Sequence, residues 1–209
     1  MAEEIANGVT HGLGAALSVA ALSVLVSLAV IYGDAWRVVS FSIYGATLVF
    51  LYLASTFYHS IQHPGAKKVF HVLDHVAIYW LIAGTYTPFM LVNLRGGWGW
   101  TLFGVIWGLA LAGTAFKALC MGRFRVLTVL PYVGMGWLVV IALKPTLEAV
   151  PPGGIVWLGM GGLAYTSGLV FYAWKRLPFN HAVWHLFVLA GSVCHFVAVL
   201  FYVLPPQGV

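Results

Sequence analysis

Histidine recurs at a spacing of four in this chain, at His59 and His63, His71 and His75, and His181 and His185. On a helix that spacing stacks two side chains on one face, where two imidazoles can grip a single metal ion. The spacing alone does not choose among the pairs, so their surroundings must. Pro64 and Gly65 follow His63 directly, so a helix should end there and leave His63 in a loop. His71 sits close to Lys67 and Lys68, where an exposed interfacial histidine is expected. His75 follows Asp74 but points about 100° away from it, toward a neighbouring helix. His195 is nearly on the face of His185 but about 15 Å further along the helix, and a buried hydrogen bond is its expected role.

The elements that must position these residues are helices in a bilayer. The 209 residues are 62% hydrophobic and 7% charged, too few polar side chains to clothe a water-soluble globule. A spanning helix needs about 20 apolar residues. Seven such runs are present, at about His11 to Tyr32, Trp36 to Ser60, Val72 to Leu94, Trp98 to Leu119, Val126 to Leu143, Gly154 to Trp174 and His181 to Leu204. The breaks GDAWR, QHPGAKK, RGGWG, MGRFR, KPTLEAVPPGG and KRLPFN are too short for a second domain, so residues 1–209 read as one all-α, seven-helix membrane domain. The amino-terminal MAEEIANG is acidic where a secretory signal would be basic, and the first run is expected to be a retained span.

Lysine and arginine in short loops set orientation. With the N-terminus inside, the inner loops hold Lys67, Lys68, Lys117, Arg123, Arg125, Lys175 and Arg176, and the outer loops Arg37, Arg95 and Lys144. The N-terminus is therefore expected in the cytoplasm and the C-terminus outside. The same bias accounts for the net charge of +5 without a nucleic-acid partner. Trp36, Trp98, Trp100 and Trp174 near helix ends fit an interfacial aromatic belt. Cys120 and Cys194 fall at different depths, so no disulfide is expected. Gly104 and Gly108 form a G-x-x-x-G compatible with close helix packing, and Pro88 and Pro131 lie within spans, where kinks are tolerated if neighbours satisfy the freed carbonyls.

Ionisable groups within a bilayer cost about 2.5 to 3.5 kcal/mol at mid-span and by default mark function. Asp74, His59, His181 and His185 each lie a few residues from Lys67, Lys68 or Arg176, within roughly 8 to 14 Å of the inner boundary. Residues remote in sequence thus share one depth. If His59, His181 and His185 meet, they form a three-nitrogen site that suits zinc and leaves a fourth position open, the pattern of catalytic rather than structural zinc. Such a metal brings the pKa of a bound water toward about 7. Asp74 could then accept a proton or orient the water, and Ser55, one turn before His59, could donate to a substrate carbonyl or a developing oxyanion. The alternative is that the three imidazoles are separately satisfied polar residues.

Four patterns occur in order along the chain: E-x-x-N-x-x-T-H at Glu4, Asn7, Thr10 and His11; S-x-x-x-H at Ser55 and His59; LDH and GTYTP at Leu73 to His75 and Gly84 to Pro88; and H-x-x-x-H at His181 and His185. Together they resemble the bacterial haemolysin III proteins, which belong with the adiponectin and progestin receptors. The resemblance implies seven helices with the N-terminus inside, and one zinc per chain near the cytoplasmic face on His59, His181 and His185. It further implies that Asp74 holds the zinc's water and that Ser55 is the matching serine. Receptor-like members have been proposed to hydrolyse ceramide-like amides. The expected function is therefore zinc-dependent hydrolysis of an amide- or ester-linked lipid in the bacterial inner membrane. The rivals are a non-enzymatic, zinc-containing regulator or receptor of lipid state and a pore-forming haemolysin. Against a pore, no helix shows a polar stripe through the bilayer. A membrane lipid is the expected partner, nucleic acid is not, and no feature identifies a protein partner.

The charge bias makes a direct prediction about topology. With Gly65→Cys, a membrane-impermeant thiol reagent should label only from the cytoplasmic side, and with Gly97→Cys only from outside. The reverse pattern would place the polar cluster in the outer leaflet.

Overall fold

Polar overhangs, rather than the apolar runs, set where the helices begin. In the computed structural model, which describes residues 1–120 and 129–204 with Cys120 by its backbone alone, α1 runs from Ala2 to Tyr32 and not from His11. Helix α2, Ala35–Ser60, is capped by Asp34, whose carboxylate accepts from the Arg37 N–H at 2.9 Å. Helix α3, Pro64–Pro88, begins eight residues before Val72 because Pro64 opens it and the His63 imidazole, outside the helix as expected, accepts from the Ala66 N–H. Apolar-run counting finds the stretch that needs hydrocarbon. It does not see a helix continuing into the interface.

Past Pro88, which has no N–H to continue the ladder, the chain widens into a π turn, Phe89–Asn93. Gly96, at φ +143°, then reverses it into α4, Gly97–Cys120. The fifth span is broken where one run to Leu143 was expected. It consists of α5 (Leu130–Gly136), a 3₁₀ turn (Leu138–Ala142) and α6 (Leu143–Ala149). Tyr86 patches the break, donating its hydroxyl to the Gly136 carbonyl at 2.9 Å and accepting from the Val139 N–H at 3.0 Å. Pro131 stands at the start of α5, where proline costs nothing, so it is a helix starter and not a kink. Lys144 is therefore helical and not in a loop. Helices α7 (Pro152–Ala173) and α8 (Asn180–Tyr202) complete the chain. Arg123, Arg125 and residues 126–128 of the expected fifth span lie outside the described residues.

Seven spans among the described residues are long and apolar enough to cross a membrane, and no strand occurs among them, so the chain is an all-α, multi-pass membrane protein. Helix α3 is central: 72% of its most apolar stretch is buried inside the protein, against 17% for α7, whose outer face is left for lipid. Helices α1 and α2 pack along each other, α7 packs on α8, and α8 returns to α1. At one end, Arg37 donates to the Val203 carbonyl at 2.8 Å and Asn93 to the Tyr202 carbonyl at 3.2 Å. Arg95 lies over the Trp36 ring there, and Trp98 and Trp100 are half exposed, in keeping with an aromatic belt.

Close approach of α1 to α2 depends on Gly14, where an added Cβ would enter the Tyr52 ring. Gly104 and Gly108 are different: a Cβ on either meets nothing within 4 Å, so the G-x-x-x-G makes no close packing among the described residues. Thermal unfolding in detergent should separate the two. Gly14→Val should destabilise by about 1–3 kcal/mol, the usual cost of overpacking, whereas Gly104→Val should leave the midpoint near wild type.

Candidate metal centre

Three helices deliver the site to one end of the bundle. His59 occupies the last turn of α2, and His181 and His185 lie on successive turns of one face at the start of α8. One nitrogen from each ring comes within 4.8 Å of the others, with His59 and His185 buried and His181 partly buried. Ring centroids are 5.1 Å apart for His59 and His181, 5.2 Å for His59 and His185, and 4.5 Å for His181 and His185. His63, His71, His75 and His195 stand outside this group.

The donor set fits a metal. His59 Nδ1 meets Glu4 Oε2 at 2.6 Å, while its Nε2 is buried without a hydrogen-bond partner. His185 Nδ1 meets the Thr10 hydroxyl at 3.2 Å. In both rings Nδ1 has a partner on α1, and in His59 the other nitrogen is without one among the described residues, the arrangement common to metal-bound histidine. Three imidazole nitrogens this close form a donor set that can hold one metal ion.

Asp74 and Ser55 lie beside each other, on α3 and α2. The Asp74 carboxylate, 15% exposed, is not one of the converging ligands. The Ser55 hydroxyl is buried beside it, without reaching hydrogen-bond geometry with any group. His75 Nδ1 is 3.7 Å from Asp74 Oδ2 but is held at 2.9 Å by the His71 carbonyl of its own helix.

Two expectations are corrected here. Lys117 is not a loop cation: it is buried on α4 and lies within electrostatic range of Asp74. Its long stem allows a lysine near a helix end to turn inward when a carboxylate waits there, which charge counting cannot detect. His71 is not freely exposed. It is half-buried and stacks on Tyr58 with centroids 4.8 Å apart, because the extra turns of α3 bring it against α2. His195 does make its expected buried bond, to the Leu158 carbonyl at 3.3 Å.

The match with known proteins extends over the whole arrangement. A family model described as Haemolysin-III related matches residues 1–196, from Glu4 through both histidines of α8. The chain belongs to this haemolysin III family. Hemolysin-3 of Bacillus cereus is 53% identical across 97% of this chain and 93% of its own length. The Hemolysin-3 homolog of Bacillus subtilis (strain 168) is 50% identical, covering 96% and 94% respectively. The human Monocyte to macrophage differentiation factor is 31% identical across 96% of this chain and 84% of its own length. No solved structure matches the chain.

Within this haemolysin III protein the first helix supplies what residue spacing did not single out. Glu4, Asn7, Thr10 and His11 are recognisable from sequence only as a family pattern, and all four face the histidines. Asn7 Nδ2 lies 3.5 Å from His59 Nδ1. His11 stacks on His185 with centroids 3.4 Å apart, and neither of its ring nitrogens has a hydrogen-bond partner among the described residues.

Metal analysis of purified protein follows from this geometry. About one zinc per chain is expected from the three-ligand pattern. His59→Ala, His181→Ala and His185→Ala should each lose most of it, while His63→Ala and His71→Ala should retain it.

Proposed function

We propose that the protein is a zinc-dependent hydrolase of the cell membrane, the inner membrane in a bacterium, that cleaves an amide- or ester-linked lipid. The observation that carries this reading is the convergence of three imidazole nitrogens within 4.8 Å of one another. Zinc on His59, His181 and His185, one per chain, would supply Lewis acidity and an activated water.

The chain's own residues divide the remaining work. Asp74 accepts the proton released as water attacks, and passes it to the leaving amine or alcohol. Lys117, buried on α4, lies within electrostatic range of Asp74. The Ser55 hydroxyl, buried beside Asp74, would donate to the substrate carbonyl oxygen, where negative charge develops. A lipid is the natural substrate because the histidines lie in the first and last turns of apolar helices, so an acyl chain can stay in the bilayer while its head bond reaches the centre. The loop cations retain the orientation proposed for the chain, with the N-terminus and the metal centre on the cytoplasmic side.

Asp74→Asn tests the reading, since it keeps size and one acceptor oxygen but removes the base. Zinc should remain, weakened by at most about 10- to 100-fold, while fatty-acid release from a membrane-lipid extract should fall by roughly 10²- to 10⁴-fold. Ser55→Ala should lose a smaller factor and keep its zinc. Equal release by wild type and Asp74→Asn, or none by wild type from any extract, would replace the hydrolase with a zinc-stabilised membrane regulator.

A further inference from the structure

We infer that Glu4 and Thr10 of the first helix are positioning residues for the metal ligands. Each fixes the tautomer of one histidine so that its Nε2 lone pair faces the centre. The inference rests on the reading that His59, His181 and His185 hold zinc.

A histidine ligand must be neutral, with its coordinating nitrogen free of hydrogen, and the tautomer is set by what the other nitrogen bonds. A carboxylate can only accept a hydrogen bond. Glu4 Oε2 at 2.6 Å from His59 Nδ1 therefore requires the hydrogen on Nδ1 and leaves the lone pair on Nε2, the buried nitrogen without a partner. The carboxylate is itself steadied from α3, where Lys67 Nζ lies 3.4 Å from Glu4 Oε1.

Thr10 reaches the same result differently, because a hydroxyl can both donate and accept. Its oxygen lies 2.9 Å from the Ala6 carbonyl and 3.0 Å from the Asn7 carbonyl. Carbonyls only accept, so the hydroxyl hydrogen points to the helix backbone. The oxygen is left to accept from His185 Nδ1–H at 3.2 Å, which again frees Nε2. Glu4 and Thr10, nearly two turns apart along α1 and about 120° apart around it, thus address different ligand helices. No hydrogen bond of this kind holds His181 among the described residues, so α1 directs two of the three ligands.

The rival is that Glu4 merely ties helix ends through its ion pair with Lys67. Lys67→Met breaks that pair without touching His59, and Thr10→Ser keeps the hydroxyl that Thr10→Val removes. Zinc dissociation constants of purified full-length variants in detergent, measured by competition with a chromophoric chelator, separate these cases. Melting of the metal-free proteins is recorded alongside. Glu4→Gln and Thr10→Val should each weaken zinc about 10- to 100-fold, as loss of an outer-shell partner does. Thr10→Ser and Lys67→Met should bind near wild type, and metal-free melting should not track affinity. The inference is overturned if Lys67→Met weakens zinc as much as Glu4→Gln, or if Thr10→Val binds like wild type. If wild type takes up no zinc, or His59→Ala binds it as well as wild type, the metal reading itself fails and this inference with it.

Discussion

A polar atom buried between lipid-facing helices has no water to turn to, so its partner must come from the protein. The bundle end around His59 and His185 is organised by that constraint. Their Nδ1 atoms are met by Glu4 and Thr10 from α1, which explains why α1 must continue as helix through its polar first turns instead of fraying at the interface. One nitrogen from each of His59, His181 and His185 lies within 4.8 Å of the others, close enough to share one cation. The apolar outer faces supply burial. The inward polar contacts decide which helix sits against which.

The same constraint extends deeper. The His11 ring, stacked on His185, meets Tyr52 edge-on at 5.0 Å. The Tyr52 hydroxyl donates to Ser192 at 2.8 Å, and Ser192 is also 2.8 Å from the Tyr165 hydroxyl. A neutral hydroxyl layer therefore ties α1, α2, α7 and α8 beneath the histidines. A ligand helix held at two depths cannot rotate about its axis. That keeps His181 and His185 aimed at α2 without a loop or disulfide to hold them.

Much of this was legible in the sequence, for physical reasons that differ by residue. Apolar runs revealed the spans because length and hydropathy are local properties. That His59 could meet His181 and His185 was readable by counting residues inward from loop cations, since rise per residue is constant. Glu4 and Thr10 were visible only as a family pattern, because a first turn rich in polar residues reads as an interface and its tertiary partner is remote. Lys117 was miscounted because charge bias treats every terminal lysine as solvated. The broken fifth span was hidden because Tyr86, far away in sequence, satisfies the interrupted backbone. The G-x-x-x-G of α4 misled because small residues permit close packing without requiring it.

The central claim is that three imidazoles of one chain hold a zinc ion with one position left for water. Zinc K-edge X-ray absorption on the purified protein tests it directly. The account predicts three nitrogen ligands and one oxygen at about 2.0–2.2 Å, with the multiple-scattering signature of imidazole. A sulfur shell near about 2.3 Å, fewer than three imidazoles, or no bound zinc would contradict it.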